Sequence, residues 1–323
     1  MAADPIVLLD VRRSGFTESH HRGSVVLLDA VGDVAVAAGG WDQPTLPRSA
    51  VKPMQTIALL GAGFDGPDDA VALASASHDG EPVHVDLARA VLAAAGLDER
   101  ALQCPAQWPD GQAAMLARVL AGGGPSRLCH NCSGKHAAML STCVRRGWPV
   151  ENYLDPQHPL QEAVRAAITT YTGEAIVASG VDGCGAPAHA VALVGLARAF
   201  ARIATAPGAT HAARVRDAMA ARPNLLGGTG RAVSELTAAV PGLLCKDGSE
   251  GVWAAALPDG RAFAVKVDDG AMRALGPLLC AALRHWGVDD PVIDRLASVP
   301  VLGGGVPVGK ITWSARLREL LHL

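Results

Sequence analysis

Aromatic side chains are scarce: six Trp, four Phe and two Tyr among 323 residues. A core of ordinary size must therefore be filled by Ala, Val and Leu, which a chain of this length supplies amply, with hydrophobic residues at 50%. Charge is equally sparse and close to balanced, 28 Lys and Arg against 31 Asp and Glu, for a net charge of -3. With no basic excess, the chain lacks the field that holds nucleic acid or an anionic membrane surface. No apolar run reaches the roughly 20 residues of a spanning helix, and the stretch 188–201 is cut by Arg198. Residues 1–20 place acids before a short apolar segment and lack a basic leader region and a small-residue cleavage site, so a cytoplasmic protein is expected. Seven cysteines, an odd number without framework spacing, point to reduced thiols rather than to a disulfide scaffold. The 36 Gly and 21 Pro fall short of a low-complexity composition.

No repeat, linker or charge block divides the chain, and a single domain over 1–323 is expected. The opening reads as a meander, with strands at 6–12, 24–30 and 34–38. Helical spacing of apolar residues follows at 53–62, 83–97, 112–121, 135–147, 158–172 and 187–206. Strands return at 243–245, 251–257 and 261–267, with Pro258-Asp259-Gly260 as a turn and a helix near 271–286. Strands at both ends of a helical middle predict an α+β fold, an antiparallel sheet flanked by helices.

Chemistry concentrates in a few short motifs. Arg48-Ser49-Ala50-Val51-Lys52 contains Ser-x-x-Lys at the start of an apolar helix, which sets Lys52 one turn beyond Ser49. A serine hydroxyl becomes a nucleophile when a base takes its proton, and a neutral lysine can be that base. The ordinary alternative is a serine helix cap beside a surface lysine. Asn131-Cys132-Ser133-Gly134-Lys135-His136 packs a thiol, an amine and an imidazole at a helix start, and Asp182-Gly183-Cys184-Gly185 sets a second thiol in a glycine loop. Cys132 and Cys184 either share a zinc ion or are two packed thiols; Cys104, Cys129, Cys143, Cys245 and Cys280 read as packing residues. Gly134-Lys135 lacks the preceding glycine of a phosphate loop, so nucleotide binding is not expected. Ser77-His78 before a helix and Lys266 at the end of a late strand complete the set.

Taken in order, Arg48-Ser49-x-x-Lys52-Pro53-x-Gln55, Ala76-Ser77-His78-x-Gly80-Glu81, Asn131-Cys132-Ser133-Gly134-Lys135-His136-Ala137, Asp182-Gly183-Cys184-Gly185 and Val265-Lys266-x-x-Asp269-Gly270 resemble the thermolabile, rhizobial-type L-asparaginases, the type II asparaginase family of bacteria and fungi. The resemblance covers nearly the whole chain. It implies a fold similar to serine β-lactamases and serine glutaminases, and hydrolysis of L-asparagine to L-aspartate and ammonia through a covalent acyl-enzyme. It implies two Ser–Lys pairs, Ser49 with Lys52 and Ser77 with Lys266, and a zinc site formed by Cys132, Lys135 and Cys184. His136 and Asp182, which flank those ligands, would orient either the substrate or the metal's own ligands, and a homodimer would suit the family. The sequence departs from the family pattern at His130, Ser75 and Asp79, changes that bear on pocket polarity. Two rivals remain, a β-lactamase-like or penicillin-binding acylase and a non-catalytic amino-acid binder. The first would carry Ser-x-Asn and Lys-Thr-Gly, whereas Lys266 is followed by Val267-Asp268.

Overall fold

A computed structural model describes residues 4–323. In chain order its elements are β1 (Ile6–Arg13), β2 (Phe16–Leu28), β3 (Val34–Ala38), β4 (Pro44–Thr45), α1 (Lys52–Gly61), α2 (Asp68–Ala74), α3 (Pro82–Ala94), α4 (Gln112–Leu120), α5 (Ser133–Arg146), α6 (Pro159–Thr172), β5 (Ala178–Val181) and β6 (Pro187–Ala192). These are followed by α7 (Leu193–Ala204), α8 (His211–Ala221), α9 (Pro223–Leu226), α10 (Ala232–Ala239), β7 (Leu244–Gly248), β8 (Val252–Ala256), β9 (Ala262–Val267), α11 (Leu275–His285), α12 (Pro291–Leu296), β10 (Val299–Gly303), β11 (Val306–Trp313) and α13 (Ala315–Leu321). They group into two compact units.

The first unit comprises the described residues up to Ala50 together with Val191–Thr205 and Leu236–Leu323. Its sheet runs β10-β11-β1-β2-β9-β8-β7, with β3 beside β2, and every pairing is antiparallel. Joining β1 and β2 to β9 and β11 brings the two ends of the sequence into one sheet, as strands at both ends of a helical middle predict. Strands β7 and β8 are buried at every residue, which requires cover on both faces. Helices α7 and α11 pack against β8 and β9. Most side chains there are small: Trp253-Ala254-Ala255-Ala256 pairs with Val265-Ala264-Phe263-Ala262, and Trp253 and Phe263 are its two buried aromatics.

The second unit, Val51–Ala190 and Ala206–Glu235, is mainly helical. Helix α1 packs against α5, α6 and α8, and α2 against α3, α5 and α8. Gly134 in the first turn of α5 is what lets α5 lie on α2: a Cβ there would stand 2.4 Å from the Leu73 side chain and 2.8 Å from its carbonyl oxygen.

Several expected boundaries shift. The helix expected over 187–206 divides into β6 and α7, because Ala192 is extended at ψ 147 and the helix starts only after it. The run has no polar residue before Arg198 other than His189, so apolar periodicity cannot separate a buried strand from a buried helix. The strand expected at 243–245 continues to Gly248, and β2 begins at Phe16 rather than 24. Among the described residues no helix is long and apolar enough to cross a membrane.

Candidate active site

Ser49 lies in a 3-10 turn, Arg48–Val51, that runs directly into α1, so Lys52 rather than Ser49 is the first residue of the helix. Neither is exposed: Ser49 is 8% and Lys52 1% accessible. The residue before the serine, Arg48, has φ 51, a left-handed conformation that a non-glycine residue adopts at a cost of about 1–3 kcal/mol and that recurs at functional sites. Gly248 at the end of β7 abuts this turn. A Cβ on it would stand 2.3 Å from the Pro47 carbonyl oxygen and 3.1 Å from the Ala50 nitrogen, so only glycine permits that contact.

Helix α1 has no side-chain cap, and its buried first residue turns its amine inward. Lys52 Nζ donates to the Ala76 carbonyl and, at 3.0 Å, to Ser77 Oγ. The Ser77 loop is fixed by its backbone: Ser77 N–H donates to Leu226 O and His78 N–H to Asn131 O. Gly80 N–H donates to His78 Nδ1, which leaves Nε2 protonated to donate to Ser133 Oγ at 3.0 Å. Burial, with His84 and Lys52 nearby, holds His78 well below the ordinary imidazole range, so it serves as a neutral strut between the Ser77 loop and the start of α5. Asp79 pairs with Arg231, yet its burial raises the carboxyl above its ordinary value despite that partner.

Cys132, Lys135, His136, Asp182 and Cys184 come together within the second unit. Lys135 Nζ is 3.2 Å from Cys184 Sγ, and Cys132 supplies a hydrogen bond that, with Lys135, lowers the Cys184 thiol to about 5 against the opposing effect of burial. Burial alone would lower Lys135, but the facing Cys184, Cys132 and Asp182 outweigh it and raise the amine. Asp182 is held in a tight turn by Gly183 N–H on its Oδ1 at 2.7 Å. His136 is fully buried, which depresses it to about 3. Among the described residues no group of three or more His, Cys, Asp and Glu side chains stands ready for a metal; the third donor here is a lysine amine. Zinc bonds of about 2.1 Å to nitrogen and 2.3 Å to sulfur at the tetrahedral angle would separate those atoms by about 3.6 Å. The observed 3.2 Å is within a few tenths of that, so this one pair fits a shared zinc on the condition that Lys135 gives up its proton. The remaining cysteines are also buried and form no disulfide, and burial pushes Cys104 up to about 12.

Lys266 sits differently. It is half-buried on β9 and its amine donates to the carbonyls of Glu250 (2.5 Å) and Val267 (2.6 Å), while burial lowers it from the ordinary lysine value. A lysine that sequence reading passed over is more enclosed: Lys246 on β7 is wholly buried, is paired to the Asp247 carboxylate and donates to the Asp247 carbonyl at 2.7 Å. It lies two residues before Gly248, the glycine against the Ser49 turn. The strand expected at 243–245 stops one residue short of Lys246, which β7 includes.

A family model described as L-asparaginase II matches residues 9–313. No curated protein matches the chain. Among solved structures it is similar to a β-lactamase from Mycobacterium bovis, at 14% identity over 77% of this chain and 88% of that one, with a TM-score of 0.44. It is also similar to EstCE1, a hydrolase with promiscuous acyltransferase activity, at 12% identity over 76% and 88% of the two chains, with a TM-score of 0.36.

Proposed function

The chain belongs to the L-asparaginase II family, and we propose that it hydrolyses the side-chain amide of L-asparagine with Ser49 as nucleophile. The observation that carries this reading is the amine of Lys52, buried one helical turn beyond Ser49 and hydrogen-bonded to a second serine, Ser77. Ser49 Oγ attacks the amide carbon as Lys52, in its neutral form, takes the hydroxyl proton. The tetrahedral intermediate collapses when the leaving nitrogen receives a proton relayed through Ser77, which releases ammonia and leaves an aspartyl ester on Ser49. Water, deprotonated by the same amine, then cleaves the ester to L-aspartate.

The lysine of the second pair we assign to Lys246 in place of Lys266. Lys246 is wholly buried in the strand whose end meets the Ser49 turn, whereas Lys266 is only half-buried on β9; both amines are held by neighbouring oxygens. Cys132, Lys135 and Cys184 would hold zinc, and a zinc ion there supplies a positive centre that draws and orients the substrate's oxygens. Asp182 is suited to the α-ammonium and His136 to a substrate oxygen. The rival readings part from this one in a single assay: the purified protein is expected to release ammonia from L-asparagine, and a β-lactam acylase or an amino-acid binder releases none.

A further inference from the structure

Tyr153 is one of only two tyrosines, and it is completely buried in the segment between α5 and α6. Its hydroxyl accepts the backbone N–H of Gln103 at 3.0 Å and stands 2.7 Å from His136 Nδ1, with the two rings edge to face at 5.6 Å. The donor inventory fixes the direction of the second bond. The phenol oxygen, having accepted one N–H, still carries a hydrogen of its own, and among the described residues the acceptor within reach is Nδ1. Were the imidazole protonated at Nδ1, two donors would point at the phenol oxygen and its own hydrogen would be stranded in the core. The hydroxyl therefore donates to Nδ1, and a ring that accepts at Nδ1 carries its proton at Nε2. That Nε2 is buried and without a partner. Lys52, Lys135, Cys132 and Asp182 all act electrostatically on the ring, so it stands among the groups of the active site.

We propose that Tyr153 is a positioning residue: through Nδ1 it locks His136 as the Nε2–H tautomer and so reserves that N–H for an acceptor oxygen of the bound substrate, a carboxylate or an amide carbonyl. A buried donor with no protein partner is costly to keep, and a ligand oxygen repays it on binding. The same lock excludes ligands that offer a donor at that point, because the ring presents no lone pair there. This deepens the asparaginase reading and rests on it for the identity of the ligand alone; the tautomer does not depend on it.

Two measurements test the proposal. A two-bond 1H–15N histidine spectrum of the full-length protein without substrate, assigned with His136→Gln, should show a pyrrole-type Nε2 and a pyridine-type Nδ1 for His136. An Nδ1–H pattern in the unsubstituted protein overturns the proposal, whatever the substrate. In steady-state ammonia assays, Tyr153→Phe should raise KM for asparagine at least about tenfold, the loss expected for one hydrogen bond to a charged group, with kcat changed far less. In His136→Gln the side-chain amide offers an N–H near the Nε2 position without help from Tyr153, so adding Tyr153→Phe to it should raise KM no further. An equal rise in both backgrounds would make Tyr153 merely structural and overturn the proposal. Absence of ammonia release by the unsubstituted protein would instead remove the asparaginase reading, and the spectrum would still decide the tautomer.

Discussion

Replacing Lys52 by Met removes the buried amine and keeps most of the side-chain volume, so its structural cost can be bounded. The Ala76 carbonyl loses its donor, which costs about 1–3 kcal/mol for a buried acceptor, whereas the Ser77 hydroxyl can turn to another partner. Against this, methionine fills most of the space that the lysine leaves, so little cavity cost is added. The net change in stability should therefore not exceed about 3 kcal/mol. Taken from a folding free energy at the low end, about 5 kcal/mol, that still leaves more than about 95% of the molecules folded. Loss of a general base, by contrast, lowers the rate by roughly 10²–10⁴. Lys52→Met should thus release ammonia from asparagine at least a hundredfold more slowly than the unsubstituted protein, while its far-ultraviolet circular dichroism is unchanged and its melting point moves by under about 10 °C. Lys52→Arg should fail equally, because a guanidinium stays protonated. A folded Lys52→Met within tenfold of full activity would refute Lys52 as the base.

The two late lysines should separate cleanly: Lys246→Met is expected to lower kcat by about 10² or more, the scale of losing one preorganised donor in an active site, and Lys266→Met to leave it within about threefold; equal losses would reject the assignment to Lys246. Protein purified without chelators should hold about one zinc per chain by elemental analysis, and Cys184→Ser should lose most of it; a metal-free unsubstituted protein would remove the zinc site. The depressed pKa of buried His78 makes a pH prediction. Below about 6.5 the unfolded chain binds a proton that the folded one refuses, so stability is lost as pH falls from there toward the folded value, by up to about 1.4 kcal/mol per pH unit. His78→Asn should flatten the decline in unfolding free energy between pH 7 and 5, and an unchanged slope would exclude His78 as a contributor.

How far the sequence could be read follows from the range of the forces involved. The α+β class, the opening strands and helices such as α3 and α6 depend on local periodicity and on Pro and Gly at their ends, and they emerge within a few residues of their expected bounds. The pairing of β2 with β9 and of β1 with β11 depends on contacts some 240 and 300 residues apart in the chain, which no window of sequence contains. The gathering of Cys132, Lys135 and Cys184 shows the same limit: spacing left the two thiols as either packing residues or ligands, and only the family resemblance named the lysine as the third donor. Lys246 escaped because a buried lysine contradicts the usual rule for strand interiors, and the apolar run that marks the strand ends at Cys245. Tyr153 carries no motif, and its part depends on the directions of two hydrogen bonds.

The central claim is that Ser49 performs the hydrolysis of asparagine, and the most direct measurement is ammonia release by the unsubstituted protein and Ser49→Ala, purified side by side and matched in melting temperature. The account predicts steady release by the former and a loss of at least about a hundredfold in the latter, since removal of a covalent nucleophile leaves only residual catalysis by the rest of the site. Release sustained by folded Ser49→Ala, or no release by the unsubstituted protein, would contradict it.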